Sequence, residues 1–238
     1  MKRLFVGLML VVAGCAKQGS VRQNESPSMP NQLSASERAA GWTSLFDGRS
    51  LDGWRVYRGQ SQPGGWYVKD GSLRKDQGTD DIISLKEFGD FELAWDWKLT
   101  PGGNSGVFFR VTEEYEAPYW SGPEYQLLDD AGGTGDTKQR ETAAASNYGL
   151  YGGPAGVVHA ANEWNSSRIV AKGPHVEYWL NGTKMLEFEI GSPEWEAKVK
   201  ASKFGRWANY GRAKRGHLSI QGDHSGTLEV RNIKIREL

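Results

Sequence analysis

The sequence holds one cysteine, Cys15, four histidines and no excess of either charge, with 29 Lys and Arg against 29 Asp and Glu. A single thiol cannot form an internal disulfide, so no disulfide framework is available. A formal charge of zero leaves no basic stripe to displace counterions from a polyanion, which excludes nucleic acid as a partner class. Long apolar runs are missing too. The longest candidate, the nine residues from Leu4 to Val12, is too short at about 1.5 Å per residue to span a bilayer. No Gly-x-Gly-x-x-Gly stands at a strand-to-helix turn, so the chain carries no sign of a nicotinamide site. His159, His175 and His217 lie apart without Cys or ligand spacing, and no structural zinc is expected. Asp47 and the Asp52-Gly53 turn offer oxygen atoms to calcium but no loop signature for it, so no cofactor or metal is assigned.

What is present is aromatic and turn-rich. Of 238 residues, 31 are Gly, ten Trp, nine Tyr and eight Phe. Glycine at roughly twice the usual ~7% suits a protein of many turns, and the aromatics suit strands. The N-terminus differs in kind from the rest. Met1-Lys2-Arg3 and the apolar run form a secretory signal over residues 1–14. Val12-Ala13-Gly14-Cys15 has the form of a bacterial lipobox, making Cys15 a lipidation site. Ala16 after it suits outer-membrane sorting. The expected location is therefore that of an exported lipoprotein, in the periplasm or on the outer-membrane surface, held to the membrane through its lipid only. Residues 15–40 contain few large apolar groups, and their composition predicts a flexible tether. Residues 41–238 are long enough for one sizeable core.

Within that domain, apolar and polar residues alternate over Gly65–Leu73, Phe91–Leu99, Gly106–Val111, Glu124–Leu128, Trp164–Lys172, Val176–Asn181 and Leu228–Ile235, the period of half-buried strands. Asp70-Gly71 and Asn181-Gly182 are hairpin-turn dipeptides. Only Ser192–Phe204, with Pro193 near its start and Lys198, Lys200 and Lys203 late, has helical character. One short helix against ten or more strands predicts an all-β sandwich.

A series of blocks runs through this domain: Leu45-Phe46-Asp47-Gly48, Leu51-Asp52-Gly53-Trp54, Gly65-Trp66-Tyr67-Val68, Asn104 to Arg110, Gly122 to Asp129, Glu163-Trp164-Asn165, Trp179-Leu180-Asn181-Gly182 and Val230 to Leu238. In these the chain resembles the 3-keto-disaccharide hydrolase domain family over nearly everything from Gly41 onward. The resemblance implies a concanavalin-like jelly roll of two antiparallel sheets with a ligand cleft on one face. The Ile220–Gly226 segment, with His224, is one glycine longer than the family pattern.

Candidate site residues cluster on the middle strands. Glu124 and Gln126, two apart on a strand, leave the same face roughly 7 Å apart, and a bulge after Leu127-Leu128 would return Asp129 to it. The pattern Glu-x-Gln-x-x-Asp looks like the Glu-x-Asp-x-x-Glu of glucanases, with Gln126 where they keep an aspartate. Alternation sends Arg110 to one face with Phe108, where it would clamp sugar oxygens or pair with Glu124. Asn104 suits a ligand contact or a turn bond equally. His224 is the candidate that titrates near neutral pH. Trp120, Tyr148, Tyr151, Trp164 and Trp207 are candidate stacking platforms for sugar rings, and Trp164 suits the core equally.

The resemblance implies cleavage of a glycoside oxidised to a ketone at C3, whose C2 proton is acidified by the carbonyl. In that chemistry Glu124 or His224 is the base, Arg110 and Gln126 are oxyanion and substrate clamps, and Asp129 orients or donates. A separate sugar 3-oxidoreductase would have to supply the substrate. The same fold and aromatics would also serve a non-catalytic carbohydrate-binding lipoprotein, a protein scaffold or an ordinary glucanase.

Overall fold

The computed structural model describes Met1 and residues 29–132, 139–224 and 226–238. Its strands are β1 (Thr43–Ser44), β2 (Trp54–Val56), β3 (Tyr67–Lys69), β4 (Ser72–Lys75), β5 (Ile82–Phe88), β6 (Phe91–Leu99), β7 (Asn104–Val111), β8 (Glu124–Leu128), β9 (Asn165–Lys172), β10 (His175–Leu180), β11 (Thr183–Glu189), β12 (Gly216–Ile220) and β13 (Leu228–Glu237). One sheet has the order β11-β10-β9-β6-β13-β4-β3, with β1 added on β13, and the other the order β2-β5-β12-β7-β8. The expected all-β sandwich of two antiparallel sheets is what the chain forms. Asp70-Gly71 and Asn181-Gly182 both have positive φ, as two-residue hairpin turns require. Two central strands escaped the alternation test. β12 buries four of its five residues, so neither face is polar enough to show a period.

The core between the sheets is aromatic: Trp95, Trp97, Tyr125, Tyr178 and Trp195 are all nearly inaccessible. Tyr125 touches Trp95 edge-on at 5.0 Å and Tyr178 at 4.9 Å. Such pairs add about 0.5–1.5 kcal/mol each beyond their burial.

The helical segment is shorter than expected and divided. α2 (Pro193–Ala201) starts at Ser192, whose Oγ accepts the Trp195 N–H, and buries Trp195 and Val199. Ser202 breaks it with ψ 176°, and a 3-10 turn follows over Lys203–Arg206. Stacked rings bind this region to the sandwich: Phe188 on Trp195 at 5.2 Å, Trp195 on Tyr210 at 6.0 Å and Tyr210 on Phe204 at 4.3 Å. The stack fixes Phe204, and with it the neighbouring Lys203.

Residues 29–40 differ from the tether their composition suggests. α1 (Ala35–Ala39) has a complete capping box from Ser34 and Glu37. Asn31 and Asn232 exchange backbone-to-side-chain hydrogen bonds at 2.6 and 2.8 Å, and Asn31 Nδ2 donates to Gly71 O at 2.7 Å. This docking uses amides in place of apolar burial, so hydropathy does not reveal it. It also corrects the single-helix expectation, since α1 is a second helix.

Candidate active site

β8 is the edge strand of the five-stranded sheet. Its alternation drives Tyr125 and Leu127 into the core and turns Glu124 and Gln126 to the outer face. The edge is covered by the following loop: Ala145 N–H donates to Gln126 O, Gln126 N–H to Ser146 O, and Tyr148 N–H to Glu124 O, at 2.9 to 3.2 Å. These bonds carry Tyr148 over the same face. The result is a polar cleft of about 180 Å³ lined by Asn104, Tyr119, Glu124, Gln126, Tyr148, Lys203, Gln221, Asp223 and His224. Five predicted site residues therefore meet in one place: Glu124, Gln126, Asn104, Tyr148 and His224.

Glu124 is 6% exposed. Burial pushes its carboxyl up to about 8, against the pull of the Lys203 ammonium and with the added repulsion of Asp81 and Asp223. At neutral pH it is mostly a neutral acid. Lys203 reaches into the cleft across aromatic faces, its Nζ 4.5 Å from the Tyr148 ring centre and 5.6 Å from that of Tyr119. Gln126 Nε2 donates to Asn104 Oδ1 at 3.0 Å. The Oε1 atoms of Gln126 and Gln221 are buried with no protein partner, which makes them acceptors for a bound hydroxyl.

His224 rides on a loop that is gripped from both sides. Lys75, fully buried in β4, donates its ammonium to His224 O and to Gly226 O. Asp81 accepts from Gly222 N–H at 2.7 Å, and its own burial pushes its carboxyl up to about 6. The loop between these clamps presents Asp223 and His224, with Asp223 Oδ1 3.5 Å from His224 Nδ1. The longer Gly222–Gly226 segment thus still delivers the imidazole to the cleft. Lys203, Tyr119, Gln221 and Asp223 were missed by sequence reasoning. Asp223 was adjacent to a named candidate, but Lys203 read only as a cation at a helix end.

Other candidates lie elsewhere. Arg110 has φ 52°, a left-handed conformation inside a strand, where β12 shifts register against β7 between His217 and Ser219. This bulge breaks the alternation that would have put Arg110 beside Glu124. Its guanidinium instead donates to Gly89 O, Gly173 O and Asp90 Oδ1 at the end of the sandwich. Asp129 closes the turn before β7, accepting from Gly102 N–H at 2.9 Å and Ala131 N–H at 3.3 Å, and does not line the cleft. Trp120 stacks on Trp207 at 4.9 Å. Tyr151 belongs to the ring stack with Phe188. Trp164 is covered by Arg231 at 3.8 Å and Lys98 at 5.0 Å, residues of the other sheet. Cys15 lies outside the described residues.

Among the described residues one His and carboxylate group, His175, Glu177 and Glu187, brings ligand atoms within 4.8 Å. Lys184 pairs with both glutamates there, at 3.2 and 2.6 Å.

Known proteins resemble this chain in sequence and in fold. A 3-keto-disaccharide hydrolase of Bacteroides thetaiotaomicron is 27% identical to this chain over 279 aligned residues, covering 99% of this chain and 96% of the relative. A crystal structure of a candidate glycosyl hydrolase from Parabacteroides distasonis superposes with a TM-score of 0.82 at 35% identity, over 88% of this chain and all of that one. A second such structure from the same organism has a TM-score of 0.66 at 28% identity, over 83% and 99% of the two chains. The profile of the 3-keto-alpha-glucoside-1,2-lyase-like domain matches residues 41–236, and the chain belongs to that family.

Proposed function

We propose that this protein is a hydrolase of 3-keto-glycosides, acting by removal of the C2 proton, elimination of the C1 substituent and addition of water. One observation carries the reading: a buried neutral carboxyl, a cation and an imidazole share one cleft with Asp223, three amides and two tyrosines. The C3 ketone acidifies the C2 hydrogen, and His224, beside Asp223, accepts that proton. The electron pair moves to the C3 oxygen, where the Lys203 ammonium meets the developing enolate charge. Collapse of the enolate expels the C1 oxygen, which takes the Glu124 proton as it leaves. Water then adds to the resulting double bond: its hydroxyl bonds to C1 as its other proton passes to the Glu124 carboxylate, and the His224 imidazolium returns its proton to C2, so both side chains regain their starting state. Gln126, Asn104 and Gln221 hold sugar hydroxyls, and Tyr148 offers its ring face. Lys203 thus takes the oxyanion role that sequence reasoning gave to Arg110.

The reading extends to setting. The lipobox at Cys15 supports export and lipid anchoring at the cell envelope, and a separate sugar 3-oxidoreductase would supply the ketone.

The test is release of aglycone from a 3-keto-glucoside and from its unoxidised parent. Release from the keto substrate alone, reduced by at least about a hundredfold in Glu124→Gln and in His224→Ala, is the expected result. Binding to both without release from either would make the protein a carbohydrate-binding module.

A further inference from the structure

A second cavity lies at the other end of β6, among the turns β5–β6 and β9–β10 and the Gly211–Lys214 loop. It measures about 560 Å³, against about 180 Å³ for the cleft. Arg110, Arg212 and Lys214 line it, with Asp90 the one carboxylate in its wall. Arg110 is the unusual member. Its side chain is 5% exposed and its one carboxylate partner, Asp90, is 41% exposed at 3.1 Å. Asp90 Oδ1 is moreover shared with the Gly173 N–H at 2.8 Å. The guanidinium spends one hydrogen bond each on Gly89 O, Gly173 O and Asp90, three of the five that it can donate. A buried cation is thus left with a partial counter-charge and spare donors.

The backbone reinforces the point. A non-glycine residue at φ 52° within a strand is costly, and here the cost places a guanidinium at this cavity. Arg212 is held bidentately by Glu196, which leaves Lys214 as the rim cation of the loop. Ile190 and Ala213 supply apolar wall. Charge complementarity selects an anion, planar guanidinium donors select a carboxylate, and the apolar wall selects a ring to carry it.

We infer that this end cavity is a second ligand site, separate from the Glu124 cleft, that takes a small carboxylate carried on an apolar ring. The inference does not depend on the hydrolase reading.

The experiment is calorimetric titration of the full chain with benzoate, with benzyl alcohol and inorganic phosphate as comparators. Saturable binding of one benzoate per chain is expected, at least tenfold tighter than either comparator. Lys214→Glu should weaken it at least tenfold, Ala213→Phe should abolish it, and Glu124→Gln should leave it unchanged. Circular dichroism and Tm of the two loop variants verify that they fold, since neither removes the Arg110 contacts. Unsaturable binding, equal affinity for benzyl alcohol or phosphate, or indifference to Lys214→Glu and Ala213→Phe overturns the inference. Loss of benzoate binding in Glu124→Gln overturns it as well, by placing the ligand in the cleft.

Discussion

A Cβ built on Gly106 would stand 2.4 Å from Glu124 Oε1. The carboxyl of β8 lies over the bare backbone of β7, and only glycine leaves it that place. Because the crowded atom ends a flexible side chain, Gly106→Ala should move the carboxyl and leave the sheet intact. A displacement of about 1 Å costs on the order of a hundredfold in rate. The expected outcome is a kcat lower by about that factor on a 3-keto-glucoside, with Tm within a few degrees of wild type. A kcat close to wild type would show that Glu124 need not occupy this position.

The Glu124 carboxyl sits at about 8, raised from an ordinary 4.5. Between those values the folded protein keeps a proton that the unfolded chain has released, so stability falls as pH rises from about 4.5 to 8. Glu124→Gln is neutral throughout and escapes this loss. Its Tm should approach that of wild type at pH 4.5 and exceed it by about 5 °C or more at pH 8.5, measured by scanning calorimetry. In wild type, kcat should decline as pH passes about 8, because the leaving group loses its proton donor. A Tm difference independent of pH would contradict a buried, neutral Glu124.

Arg110 separates stability from chemistry. Its three bonds join the β5–β6 turn to the β9–β10 turn, and hydrogen bonds from a charged donor are worth about 1.5–3 kcal/mol each. Arg110→Gln should lower Tm by several degrees while kcat at a permissive temperature stays within a fewfold of wild type. A loss as deep as that of Glu124→Gln, with the fold retained, would return Arg110 to the chemistry.

The same residue shows where sequence reasoning stops. Alternation located β8 and gave Glu124 and Gln126 a common face, because period two survives wherever one side of a strand is buried and the other is polar. It failed at Arg110, since a bulge in β7 is set by pairing with β12, a partner more than 100 residues away in the chain. Lys203 was invisible for a different reason. It depends on a stack of rings drawn from β11, α2 and the 204–210 segment, and no local pattern encodes that meeting. Asn31 illustrates a third limit: its docking on Asn232 spans 201 residues and leaves no hydropathy signal.

Lys75 links the buried interior to His224. The ammonium contacts the carbonyls of His224 and Gly226, and among the described residues it has no carboxylate within ion-pair distance. Lys75→Met keeps the length and removes the donor, leaving two part-buried carbonyls without this partner, at a cost of up to about 1–3 kcal/mol each. Two effects should appear together. Tm should fall by several degrees, and kcat should drop about tenfold or more below the transition while KM changes little, because the loop places the base and the other side chains hold the sugar. Solvent-deuterium exchange at C2 of the keto substrate reports the base alone, and its rate should fall in parallel with kcat. Exchange as fast as wild type with a lower Tm would make Lys75 a purely structural lysine, whereas slowed exchange identifies it as the residue that positions His224.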